Sequence, residues 1–106
     1  MENQTQSNLS SIKSIISTII DFTKIYLFGS RSREDYENES DYDLLIVIKQ
    51  NITGYDRIKL MTEIRKKLAE NKIDADIIIK TNEEINEYKN IPGHIVSIAL
   101  NEGYTI

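Results

Sequence analysis

Cysteine is absent from this 106-residue chain. No disulfide framework can form, and neither thiolate chemistry nor a cysteine-type structural zinc site is available. Long apolar runs are missing too. The stretch Leu44-Leu45-Ile46-Val47-Ile48 is far short of the roughly 20 residues that a spanning helix needs. No basic segment followed by an apolar one stands at the start, so no signal peptide is expected, and the expected compartment is the cytoplasm. An excess of basic charge is lacking as well. The net charge of −4 argues against broad, sequence-independent binding to nucleic acid, which needs a basic surface to displace counterions from phosphates. Repeats, low-complexity tracts and Pro-, Gly- or Ser-rich linkers do not occur. Residues 1–106 are therefore expected to form a single domain, with the polar stretch Met1 to Gln6 frayed.

What is present suits a globular α/β domain. The chain is 40% hydrophobic and 28% charged, enough for a real core inside a charged surface. Leu9, Ile12, Ile15, Ile16, Ile19 and Ile20 recur at helical period and predict a helix from Ser7 to about Phe22, with Ser7 or Ser10 as a cap. Ile25 to Phe28 reads as a strand stopped by Gly29-Ser30. Residues 31–40, polar and strongly charged, predict a short helical turn and a loop. Asp41 to Ile48 reads as a second strand whose continuously apolar end is expected to be covered on both faces. Residues 56–70 carry Ile58, Met61, Ile64 and Leu68, again at helical period. Lys72 to Lys80 alternates as a third strand. Thr81 and Glu84 form a capping box for a short helix to about Lys89. After the break at Ile91-Pro92-Gly93, a last helix from His94 to Asn101 is capped by Gly103. The expected fold is a small mixed sheet of about three strands flanked by helices. The first two strands should be antiparallel, and the second and third parallel across a helix.

The chemistry gathers at Gly29-Ser30, a gap of ten residues, and Asp41-Tyr42-Asp43. Residues two apart in a strand share a face, so Asp41 and Asp43 project together and Tyr42 points away. Two carboxylates so close repel unless a cation lies between them, and magnesium suits all-oxygen ligands near phosphate. On the third strand Asp74 and Asp76 share a face opposite Ile73, Ala75 and Ile77. Asp76, set among apolar neighbours, is expected to be buried, where an unpaired carboxylate is costly, and so to be a third ligand. Asp74, nearer the strand's start, reads as a surface or capping residue. Three such carboxylates fit a two-metal site for in-line phosphoryl transfer. Gly29 would let backbone approach a ligand, the amides and hydroxyl at Ser30 would face an anion, and Arg31 and Arg33 lie close enough to balance phosphate charge.

The run Leu27-Phe28-Gly29-Ser30-Arg31-Ser32-Arg33, followed by Ser40-Asp41-Tyr42-Asp43-Leu44-Leu45, resembles the signature of the minimal nucleotidyltransferases of the polymerase-β-like superfamily: Gly-Ser, ten residues, Asp-x-Asp, then a third Asp on a later strand. The likeness covers about residues 8–106. It departs from the family pattern at Glu34, where a glycine or small residue usually stands. The resemblance implies the polymerase-β-like nucleotidyltransferase fold. It implies that Gly29 and Ser30 bind nucleotide phosphates, that Asp41 and Asp43 hold two Mg²⁺ ions, and that Asp76 holds the ion at the acceptor hydroxyl and receives its proton. The implied reaction is attack of that hydroxyl on the α-phosphate of a nucleoside triphosphate, with pyrophosphate leaving. Stand-alone domains of this kind commonly pair with a helical HEPN toxin. An ATP-using transfer of AMP to a tyrosine of such a toxin, in an antitoxin role, is the implied function. The alternatives are a small-molecule (antibiotic) acceptor and a non-catalytic antitoxin acting by contact. Elsewhere, His94 reads as a capping or surface residue, Tyr36 as a residue of the charged loop, and Arg65-Lys66-Lys67 as the solvated face of a helix.

Overall fold

The computed structural model describes residues 4–33 and 41–106. Helix α1 (Gln4–Ile19) places Ile12 and Ile16, one turn apart, fully out of water. It opens three residues before Ser7, so Gln4 to Gln6 are helical, not frayed, and Ser7 and Ser10 fall inside the helix rather than at its cap. Strand β1 (Lys24–Phe28) follows, then a four-residue helix α2 (Ser30–Arg33). The rest of the charged segment, with Glu34 and Tyr36, lies outside the described residues.

Strand β2 (Tyr42–Ile48) pairs antiparallel with β1 and parallel with β3 (Ala75–Thr81), as the connections predict. Between them, α3 (Gly54–Glu70) starts at Thr53, whose hydroxyl accepts from the Asp56 amide at 3.1 Å. It buries Ile64 and Leu68. The third strand begins at Ala75 rather than Lys72 because α3 closes through Lys72. That residue is left-handed (φ 62), and the Ile73 amide reaches back to the Leu68 carbonyl at 3.0 Å.

The capping box of Thr81 and Glu84 opens α4 (Asn82–Tyr88). His94 caps α5 (Ile95–Glu102) by accepting from the Val96 amide. Gly103 caps α5 in an extended conformation, so the need for glycine there is space: a Cβ would meet the Leu27 and Ala99 carbonyl oxygens at 2.5 Å. A fourth strand, β4 (Tyr104–Thr105), follows and was not expected from the sequence. It is two exposed residues recruited by pairing with Tyr26 and Leu27 of β1. The sheet order is β3-β2-β1-β4.

Two apolar layers cover the sheet. On one face, Ile25, Leu27, Tyr42, Leu44, Ile46, Ile77 and Ile79 pack with residues of α1 and α3. On the other, Phe28, Leu45 and Val47 pack with Ala99 of α5 and Ile85 of α4. This coverage of both faces explains the continuous apolar run of β2. Among the described residues no helix is long and apolar enough to cross a membrane.

Candidate active site

The strand registers line up the acidic residues. Phe28 stands opposite Asp43, and Asp43 opposite Asp76, in one row across three strands. By alternation Asp41, Asp43 and Asp76 share the face that carries Leu45 and Val47 further along, while Tyr42 takes the opposite face. Asp41 lies just ahead of β2 and is exposed. Asp43 is partly buried, and its carboxyl is pushed above the usual carboxylate range. Loss of water is the largest cause, followed by repulsion from Asp76, Asp41 and Glu102, with Arg33 pulling the other way. Asp76 and Asp41 therefore both stand near enough for their charge to reach the Asp43 carboxyl.

Asp76 departs from expectation in one respect. It is exposed, not buried. β3 is an edge strand, and the partly buried Ile78 marks where apolar packing on that face begins, leaving Asp76 at the open end. The cost of burial gives no reason for this residue; its alignment beside Asp43 does. Asp74 is exposed ahead of the strand, and its carbonyl accepts from the Tyr42 amide at 3.0 Å, which fits its surface reading.

Gly29 ends β1 in a left-handed conformation, φ +71, and a Cβ there would overlap the Asp43 carboxylate. Only glycine lets the turn pass this close to the acidic row. The Gly29 carbonyl is taken up by the Ser32 amide at 3.1 Å and the Ser32 hydroxyl at 2.7 Å, which folds α2 and sets Ser30 at its first position.

The two arginines part company. Arg31 is buried, with its guanidinium 4.4 Å from the centroid of the Tyr42 ring, on the face away from the acidic row. The same tyrosine hydroxyl accepts from Asn8 of α1 at 3.1 Å. Arg33 stays on the acidic side and meets both carboxylate oxygens of Glu102 at 3.4 Å. Glu102 also accepts from the Gly29 amide at 3.3 Å. Nothing in the sequence singled out Glu102, which lies 73 residues from Gly29.

The donor set suits a hard divalent cation. It is all carboxylate oxygen on neighbouring register positions, beside a turn that glycine alone can make. As the side chains stand, no three of the described acidic or histidine residues converge on one point. Like charges on adjacent positions repel and turn apart. A cleft of about 400 Å³ beside the row is lined by Asp41, Asp74 and Asp76 on one side and Thr62, Arg65 and Lys66 of α3 on the other.

With this geometry the protein class can be stated. Residues 10–92 match the model of the family described as polymerase beta, nucleotidyltransferase, and the chain belongs to that family. Among curated proteins it is similar to one from Methanocaldococcus jannaschii provisionally called a protein adenylyltransferase. The two are 38% identical over 55 residues, which span 50% of this chain and 56% of the relative, little more than half its length. Among solved structures it is similar to a chain of the complex of a tri-AMPylated Shewanella oneidensis HEPN toxin with an MNT antitoxin. The TM-score is 0.59 at 19% identity, covering 96% of this chain and 71% of that one. It is also similar to a chain of a toxin–antitoxin complex with AMP-PNP. There the TM-score is 0.62 at 19% identity, covering 91% of this chain and 69% of that one. At such identities the likeness is one of fold.

Proposed function

We propose that this chain, as one domain, transfers AMP from ATP to a tyrosine hydroxyl of a HEPN-family toxin, in an antitoxin role and in the cytoplasm. The observation that carries this reading is the placement of Asp43 between the Gly29 turn and Asp76, which sets the backbone of the turn beside a row of carboxylates. Family membership supports the reaction class. The AMPylated toxin complex and the AMP-PNP complex among the structural neighbours support the nucleotide and the partner.

In this reading Asp41, Asp43 and Asp76 hold two Mg²⁺ ions. When bound, the ions supply positive charge against the attacking oxygen and the leaving phosphates. The turn at Gly29 and Ser30, with Arg33, holds the β- and γ-phosphates by amide and guanidinium donors. The acceptor oxygen attacks the α-phosphorus, the bond from that phosphorus to the bridging oxygen breaks, and pyrophosphate leaves. The exposed Asp76 carboxylate takes the hydroxyl proton. Arg31, stacked on Tyr42, stiffens the strand behind the site rather than meeting phosphate.

Incubation of the chain with a HEPN-family toxin, MgCl₂ and ATP should add whole AMP units to that toxin in an intact-mass spectrum. Asp43→Asn should abolish the gain. Full transfer by Asp43→Asn would refute the site assignment.

A further inference from the structure

Two groups that the proposed function assigns to phosphate are already engaged by one anion of the chain itself. The Gly29 amide donates to Oε1 of Glu102 at 3.3 Å, and Nη1 of Arg33 stands 3.4 Å from both Oε1 and Oε2. A carboxylate offers these donors what a phosphate offers: two anionic oxygens on one centre. The contact is open to water, with side chains 47% exposed at Arg33 and 35% at Glu102. Exposed ion pairs of this kind are weak and easily exchanged.

The backbone around Glu102 is pinned, while its side chain is held only by these exposed contacts. The Ser32 hydroxyl reaches the Glu102 carbonyl at 3.3 Å. Gly103 sits so close to Leu27 and Ala99 that no Cβ would fit. The end of α5 is thus held against the turn after β1, and the carboxylate is kept within reach whether or not it is bound. That raises its local concentration far above that of any free carboxylate.

We propose that Glu102 is an internal stand-in for a nucleotide phosphate: it occupies the Gly29 amide and Arg33 and swings aside when a triphosphate enters. This inference rests on the Gly29–Ser30 turn being the phosphate site. Glu102 then acts as a tethered competitor that weakens nucleotide binding, and it also places a negative charge beside the incoming phosphates. If it only positioned Arg33 for phosphate, its removal would have the opposite sign.

The test is calorimetric titration of AMP-PNP into the full chain at saturating MgCl₂. It compares the wild type with Glu102→Gln, Glu102→Ala and Asp43→Asn. Both Glu102 variants should bind about twofold to fivefold more tightly, the range expected when an exposed ion pair no longer has to be broken. Tripolyphosphate with MgCl₂ should show the same gain, because the competition is for the phosphate site alone. If Asp43→Asn weakens binding while the Glu102 variants bind equally or more weakly than wild type, the stand-in role is wrong and the site assignment survives. If Asp43→Asn binds like wild type, the site assignment itself falls, and this inference with it.

Discussion

Gly29→Ala offers the most direct check on how the acidic row and the Gly29 turn fit together. Two penalties apply. The new side chain must adopt φ +71, which costs an L-residue about 1–2 kcal/mol. Its Cβ also overlaps the Asp43 carboxylate, and such overpacking costs typically about 1–3 kcal/mol more. The sum, roughly 2–5 kcal/mol, is large against a domain stability of about 5–15 kcal/mol, yet leaves a folded protein to measure. The two parts can be separated. In an Asp43→Ala background the clashing atoms are gone, and the Asp43 Cβ would stand at 3.4 Å, ordinary contact distance. Gly29→Ala should then cost only the conformational 1–2 kcal/mol or so. Urea unfolding of the four proteins, followed by circular dichroism, gives the coupling energy, expected at about 1–3 kcal/mol. An additive cycle would show that glycine is needed for its backbone angle alone and that the close approach of turn and carboxylate is not real.

Asp43→Asn should raise stability in EDTA, because a carboxyl held above its usual range destabilises the fold whenever it is charged. For the same reason, Asp43's contribution to wild-type stability should improve as pH falls through its raised folded-state pKa. MgCl₂ should stabilise the wild type in thermal melts and leave Asp43→Asn unmoved; equal shifts in both would count against the ligand role. Burial pushes the Glu84 carboxyl up, but its hydrogen bonds with Arg57 and the Thr81 amide together hold it below its usual range, so it contributes stability above the normal carboxylate range and loses it as pH drops through the lowered value. Arg57 donates to both Glu84 at 2.8 Å and the Ile79 carbonyl at 2.9 Å, so Arg57→Ala should cost about 1–2 kcal/mol at neutral pH, and less in acid, by urea titration. Lys72→Gly should stabilise by about 0.5–1 kcal/mol, since it removes left-handed strain from an exposed residue at some entropic cost in the unfolded chain; a lower melting temperature would contradict this.

The features legible in the sequence are those written in short-range spacing. Asp41-Tyr42-Asp43 alternates, which puts its two carboxylates on one face, and the register sets Asp43 in a row with Phe28 and Asp76. The capping box at Thr81 and the cap at His94 are local hydrogen bonds and were equally readable. The rest depends on neighbours that sequence order does not reveal. Asp76 is exposed because β3 is an edge strand, and edge position follows from sheet order, not from apolar flanks. Arg31 and Arg33 looked equivalent beside Gly29-Ser30. Two residues apart on a helical turn they point about 200° from each other, so one is buried on Tyr42 and the other meets Glu102. Glu102 and β4 are brought to the site by the return of the last helix against β1, a contact with no sequence signature.

The residue between the two leading carboxylates has a consequence of its own. Tyr42 is only 2% exposed, and it is gripped from the far side by Asn8 and Arg31. The acidic pair therefore cannot drift without dragging a large ring through close-packed surroundings. The middle position of the acidic motif works as a keel: it fixes the pitch of Asp41 and Asp43 from beneath and takes no part in contacts above. A library that varies only Tyr42 should thus yield proteins whose carboxylates are all present in sequence but misaligned in space. Catalytic loss there would trace to a residue that touches neither nucleotide nor acceptor.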